Sequence, residues 1–357
     1  MNRRNIFILS LLLVLSVIFV TSCGKSPSTS TQPGNQNSSS SSSNPTGSTP
    51  PNTTSPASTP TSPAADATKV SLKLNVQTGQ SYRSKMTTSQ TTTVVMDGQT
   101  QNSDSTMDAV MKFDVSGVDA VGLMTVVSKY ESVNTQSHSG TQASAYDSTN
   151  PSASQDPEAK MWDAVMAAPI TMVLSRQGQV QEVQGVSDVL DHVLKQYDDA
   201  KRKLIEPTLR STFSDQYFKD QMSDYFAPLP DHLVAVGDSW QSTTTVSSGV
   251  PLVMENTMTL KKREAGVATI SIQTTLNTNP HAAPLKIGPV ETSYQDLSGT
   301  QSAELQIDEK TGWIVKETVT QDFKGHMSMK IDQLGFQQTA IPITGHTDMT
   351  YELIRPQ

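Results

Sequence analysis

Few side chains in this 357-residue chain are of a type and spacing that could do chemistry. The thiol of Cys23, the only cysteine, stands directly after Val20-Thr21-Ser22 and before Gly24. One thiol excludes a disulfide within the chain and a multi-thiolate metal site, and leaves covalent modification or an unused thiol. The six histidines, His138, His192, His232, His281, His326 and His346, include no i, i+4 pair that would set two imidazoles on one helix face, so no zinc site is expected. Asp191, Asp198 and Asp199 are a candidate cation cluster, but Lys195, Lys201, Arg202 and Lys203 lie among them, and a solvated, salt-bridged helix surface is the simpler reading. Asp308-Glu309-Lys310-Thr311-Gly312 lacks the alternating oxygen ligands and distant Glu of a calcium loop and reads as a hairpin turn. No Gly-x-Ser-x-Gly elbow, dinucleotide fingerprint or phosphate-binding loop follows Thr68, and no Ser/His/Asp set is specified among the many serines. In Asp238-Ser239-Trp240, Gly237-Asp238 turns the chain, Ser239 bonds local backbone and Trp240 anchors a strand, with a ligand contact as the second reading of Trp240. No catalytic residue, metal or cofactor is expected.

The elements around Cys23 account for it best. Asn2-Arg3-Arg4-Asn5 is a short basic start, and Ile6 to Val20 is an uncharged, almost wholly apolar run of 15 residues. That is the pattern of a secretory signal, and it falls short of the roughly 20 residues a membrane-spanning helix needs. Val20-Thr21-Ser22-Cys23 resembles a bacterial lipobox, which implies a signal peptide over residues 1–22 and palmitate-type acylation of Cys23. Two or more acyl chains hold a protein on a membrane where a single chain does not. Residues 23–68 then form a tether: Gly24 to Thr68 contains Ser, Thr, Pro, Asn, Gln and Gly but no Val, Ile, Leu, Met or aromatic residue, and has nothing with which to build a core. Glycosylation of this tract is an open alternative. Setting aside Arg3, Arg4 and Lys25 among 26 bases and Asp66 among 34 acids leaves 23 against 33 from Lys69 onward, a net charge of −10 that argues against nucleic acid.

Residues 69–357 are the folded body. Period-two alternation predicts strands at Val70 to Val76, Tyr82 to Met96 with a hairpin turn at Asp97-Gly98, Met107 to Val115 and Val121 to Val133. Thr135 to Pro157, rich in Ser, Thr and Gln, reads as a long mobile excursion open to proteolysis. A helix is expected from Glu158 to Ala168, with Met161, Trp162, Val165 and Met166 on one face. Two strands follow around Gln177-Gly178, then a helix capped by Ser187 and carrying Val189, Leu190, Val193, Leu194 and Tyr197, then a second helix over Ser214 to Phe226 that presents Tyr217, Phe218, Met222, Tyr225 and Phe226. Strands return from Ser239 to Ile354. The order predicts an α+β body, predominantly antiparallel β, with a helical insert, 187–227, packed on the sheet. Gly79-Gln80-Ser81-Tyr82 echoes Gly237-Asp238-Ser239-Trp240, and Leu174 to Val183 echoes Leu305 to Val315. Two related β-rich halves, 69–186 and 228–357, or chance matches in a Ser/Thr-rich chain, are the two explanations.

Gly79-Gln80-Ser81-Tyr82, the stretch Met172 to Gly185, Leu229-Pro230-Asp231-His232 running on to Gly237-Asp238-Ser239-Trp240, and Leu305 to Gly312 together resemble an uncharacterised family of bacterial envelope lipoproteins, a domain of unknown function common in Gram-positive lineages. The resemblance covers most of Lys69 to Ile354 and implies fold and location without supplying catalytic residues. By analogy of plan alone, a curved antiparallel sheet with helices over its concave side is also that of periplasmic lipoprotein carriers and mycobacterial lipid-binding lipoproteins.

The expectation is therefore a non-enzymatic binding module, lipid-anchored to the cell membrane and facing outside the cytoplasm, whose partner is an apolar small molecule or another envelope component. The alternative is a carrier or sensor of a lipid or other apolar ligand in a cavity between sheet and helices, contacted by Trp162, Tyr217, Phe218, Met222, Phe226 and Trp240. The body's 14 methionines and 17 aromatic residues fit such a lining or an ordinary core. An envelope hydrolase is the third and least supported reading.

Overall fold

The computed structural model describes residues 68–355 except 151–156, 213, 217, 220, 221, 223–228, 247–249, 288, 289 and 332–334. The expected signal peptide, Cys23 and the tether lie outside the described residues. Among the described residues there are thirteen strands: β1 (Ser81–Met96), β2 (Gln99–Val118), β3 (Met124–Ser139), β4 (Gln142–Asp147), β5 (Ile170–Leu174), β6 (Val180–Gln184), β7 (Ser239–Val246), β8 (Leu252–Glu264), β9 (Val267–Thr278), β10 (Leu285–Ile287), β11 (Val290–Asp308), β12 (Ile314–Ile331) and β13 (Phe336–Leu353). They join antiparallel in the order β6-β5-β3-β2-β1-β13-β12-β11-β9-β8-β7, with β4 added to β3 and β10 to β11. The Thr- and Val-rich stretches form strands because branched side chains fit a pleated surface, and buried positions alternate with exposed ones, as in β1 from Ser84 to Thr92.

This arrangement corrects the α+β expectation. The structure is mostly antiparallel β in one large sheet, 62% strand and 13% helical, and not a sheet carrying a central helical insert. β1 and β13 pair from Ser84↔Leu353 to Val94↔Ile343, so strands from either side of residues 187–227 merge into one continuous ladder. The helices among the described residues are short and include α1 (Pro157–Ala167), α2 (Val186–Lys195) and α3 (Asp199–Thr212), and residues 215, 216, 218, 219 and 222 are also helical, within the helix expected over Ser214 to Phe226. α1 packs on α2 and touches β3 and β4, and α3 touches α2 and β10.

The sheet is strongly curled. Leu74 N–H donates to the Arg176 carbonyl at 2.7 Å and the next residue, Asn75, donates to the Thr311 carbonyl at 2.8 Å. Arg176 lies in the β5–β6 turn and Thr311 in the β11–β12 turn, and five strands stand between β5 and β11 in the sheet order. In a flat sheet those turns would be about 29 Å apart at about 4.8 Å per strand, whereas consecutive residues span about 3.8 Å. The sheet must therefore bend until the two turns grip one segment. Val70 to Val76 keeps the alternation expected of it, with Leu72, Leu74 and Val76 buried. Its backbone bonds go to these turns and to the Val70↔Val234 bridge, in place of the regular strand expected there. Gly312 makes the grip possible: its φ is +68°, and a Cβ there would sit 2.2 Å from the Lys73 carbonyl oxygen. Beside it, Trp313 is buried against Tyr82, stacked at 4.0 Å, and against the edge of Phe113 at 5.6 Å.

Three local expectations change. Thr135 to Pro157 is no open excursion at its start, since β3 runs on to Ser139 and pairs with β4 from Asn134↔Asp147 to Ser139↔Gln142. Its polar side chains face solvent on one side, while Thr135 and Tyr146, a cross-strand pair, are buried on the other. Ser187 makes no cap bond; Gly185, at φ 100°, occupies the cap position of α2. α3 was expected only as a salt-bridged helix surface around Asp198 and Asp199, without bounds, because it has little apolar stripe and contains Pro207. It is supported by charge: the Asp198 carboxylate accepts from Lys201 N–H at 2.9 Å, Arg202 pairs with Asp199 at 2.8 Å, and Arg210 binds Glu206 at 2.9 Å and also Asp191.

Candidate functional site

The buried residues fall into two apolar clusters on the inner face of the sheet. The larger gathers Phe113, Met124, Trp162, Met172, Leu174, Met258, Leu260, Ile270, Leu305, Trp313 and Tyr351, and the smaller Met254, Leu276, Leu297, Met327, Ile341 and Ile343. Between them runs a row of polar side chains whose alignment follows from register. Ser242↔Asn256, Asn256↔Thr274, Thr274↔Gln301, Gln301↔Gln321, Gln321↔Thr347, Thr347↔Gln90 and Gln90↔Ser105 are consecutive cross-strand pairs from β7 to β2. Directly paired residues share a face, so these eight strands present one polar line inward. Seven of the eight residues are buried; Ser105, at the β2 end, is half-buried.

The central part of the line is flanked by apolar residues. On one side Phe323, Leu276 and Met254 flank it, the Phe323 ring filling the space over Gly345, where a Cβ would come within 2.2 Å of it. On the other side Met349, Val319, Ala303, Ile272, Met258 and Trp240 form one continuous row. Part of the polar line satisfies itself. Thr274 Oγ1 donates to Asn256 Oδ1 at 2.6 Å, and Asn256 Nδ2 donates to Ser242 Oγ at 3.4 Å. The centre does not: Gln301 Nε2, Gln301 Oε1 and Gln321 Oε1 are buried with no hydrogen-bond partner among the described residues. Gln301 and Gln321 are each 1% exposed. A buried polar atom without a partner costs about 1–3 kcal/mol, so three such atoms on two paired residues are an unusual local concentration.

Electrostatics point the same way. Glu317 lies on the same face of β12 as Gln321, between Leu305 and Tyr351 across the ladders, and burial alone pushes its carboxyl up to about 8. Ser84 Oγ donates to Tyr351 Oη at 2.5 Å. Among the described residues, no Lys, Arg or His is buried. Charge is kept to the rim and outer face, as in Arg263, which holds Glu309 through Nε at 2.6 Å and Nη2 at 3.0 Å.

The structure distributes the sequence-predicted contacts unevenly. Trp162, 2% exposed, is a core residue of α1, edge-on to Tyr130 at 6.1 Å and stacked on Tyr146 at 6.4 Å. Phe218, Met222 and Trp240 are half-buried against the larger cluster, and Trp240 ends the apolar row beside the polar line. Tyr217, Phe226 and Cys23 lie outside the described residues. Asp308 accepts from Thr311 N–H and Oγ1, each at 2.7 Å, and Asp238 from Ala235 N–H at 2.9 Å, so both serve turns. The polar line went unread in the sequence. Its signal was a Thr or Gln at an inward position of an otherwise apolar alternation, as in Ile270, Ile272, Thr274, Leu276, and only the register shows that these positions coincide.

Fold and site together define a single-sheet antiparallel β protein with a polar stripe across a buried inner face. The chain belongs to the family of unknown function DUF6263, which matches residues 121–314, just over half its length. No curated protein matches it. Among solved structures, one of lipid–protein interactions in lipovitellin is similar at 10% identity and a TM-score of 0.47, covering 79% of this chain and 26% of that one. This chain thus spans about a quarter of that protein's length. An outer membrane channel from Pseudomonas putida F1 is similar at 5% identity and a TM-score of 0.23, covering 79% of this chain and 97% of the channel. The translocator domain of the autotransporter NalP from Neisseria meningitidis is similar at 6% identity and a TM-score of 0.20, covering 78% and 89%. No helix among the described residues is long and apolar enough to cross a membrane.

Proposed function

We propose that this protein is an envelope lipoprotein, held to the cell membrane by acylated Cys23 and facing outside the cytoplasm, whose curled sheet is a non-enzymatic binding module for an apolar molecule. The observation that carries the binding reading is the half-buried apolar set Met161, Val165, Met166, Phe218, Met222 and Trp240, packed against the inner-face cluster while remaining partly open to solvent. Such a set continues the buried apolar surface outward and offers a ligand an entrance with little new desolvation cost. The anchor reading rests on the 15-residue apolar run before the single cysteine.

Each half has its own test. Gentle purification followed by mass spectrometry of an organic extract should find copurifying apolar molecules, and Phe218→Glu should lose them. A lipid-free protein indifferent to fluorescent fatty acids would refute the binding reading. Metabolic palmitate should label the wild type, and Cys23→Ala should leave the membrane fraction; an unlabelled wild type would refute the anchor.

A further inference from the structure

We propose that the inner polar line seats the polar centre of a neutral glycerolipid, with its hydroxyl and ester carbonyl bonded to the side-chain amides of Gln301 and Gln321. This rests on the apolar-binding reading above and narrows it to a chemical class.

Three features select the class. The unpartnered atoms are one donor, Gln301 Nε2, and two acceptors, Gln301 Oε1 and Gln321 Oε1, on cross-strand partners of adjacent strands. A ligand that satisfies all three atoms both accepts and donates at one place, as an ester carbonyl beside a hydroxyl does and as a hydrocarbon cannot. Second, apolar rows lie on both sides of the line, Phe323, Leu276 and Met254 on one and Val319, Ala303 and Ile272 on the other. The ligand's polar group is thus central, with apolar chain on either side. Third, the interior offers no counter-charge for an anion. No Lys, Arg or His is buried among the described residues, and the buried carboxyl group, Glu317, lies two inward positions from Gln321 on β12. A phosphate or carboxylate seated here would be desolvated without a cation. An uncharged diacylglycerol-like molecule meets all three requirements.

The test uses the purified protein, with displacement of N-phenylnaphthylamine as the readout and dioctanoylglycerol and hexadecane as probes. The wild type should bind dioctanoylglycerol at least tenfold more tightly than hexadecane. Gln301→Met with Gln321→Met, which keeps side-chain length and removes the bonding groups, should bring the two probes to within about twofold, since each lost bond in a dry site removes most of an order of magnitude. A wild type that binds both equally, or a double variant that keeps the preference, overturns the inference while leaving an apolar binding site intact. Binding of neither probe overturns the apolar reading itself. Should the variant not fold, the side-chain amide signals of Gln301 and Gln321 in the wild type decide: they should shift on titration with dioctanoylglycerol and not with hexadecane, and unmoved signals refute the seat.

Discussion

Burial of Glu317 makes stability depend on pH in a direction opposite to that of most carboxylates. The residue is 3% exposed and faces Leu305 and Tyr351, and desolvation raises its carboxyl from an ordinary 4.5 to about 8. The folded protein thus keeps the proton through a range in which the unfolded chain has lost it. Between those two values the folded state binds more protons, and stability falls as pH rises, by about 1.36 kcal/mol per pH unit. From pH 5 to pH 8 the contribution lost is about 3–4 kcal/mol, a sizeable part of the net stability of an ordinary domain. Glu317→Gln removes this dependence while keeping shape and a neutral polar end. Wild type and variant should have similar stability near pH 5, and the variant should be more stable by about 3 kcal/mol at pH 8. Urea titrations at a series of pH values, extrapolated linearly, measure the difference, and other carboxylates cancel in it. Parallel pH profiles for the two proteins would refute the argument, as would a carbon-detected titration placing Glu317 near 4.5.

Other predictions follow from single features. Gly312→Ala should destabilise by about 2–4 kcal/mol, combining a positive φ with a clash on Lys73, whereas Gly266→Ala, at φ +79° in open space, should cost about 1 kcal/mol; denaturant midpoints separate the two. Trp162→Ala should cost about 3–5 kcal/mol, and Trp162→Phe much less, because Nε1 has no hydrogen-bond partner among the described residues. His346 lies 2.7 Å from Asp322 Oδ1 and 3.1 Å from Asp348 Oδ2, and these carboxylates hold its imidazole above the ordinary 6.5; proton NMR should show this, and Asp322→Asn should bring the value down. Limited proteolysis should spare residues 134–147, where β3 and β4 are paired.

Much of the strand content was legible because alternation is a local property. The hairpin at Asp97-Gly98, the strands around Gly178 and the turn at Gly312 were read from a few neighbouring residues, and the structure has them. α1 was legible for the same reason, through Met161, Trp162 and Val165. The bounds of α3 were not, since its support is a set of ion pairs and a carboxylate cap that leave no apolar period. The pairing of β1 with β13 joins residues about 250 to 270 positions apart, and no local pattern announces it.

Sequence alone therefore determined where most of the strands lie, which side of each is apolar, and that a lone cysteine follows an apolar run. Tertiary structure decided that the strands form one sheet, that it curls until two distant turns hold the same segment, and that Gln90, Gln301 and Gln321 stand in one line. The physical reason is register. A side chain's inward or outward direction is set by its own backbone, but its cross-strand neighbour is set by which strands pair and at what offset, and that choice belongs to the whole chain.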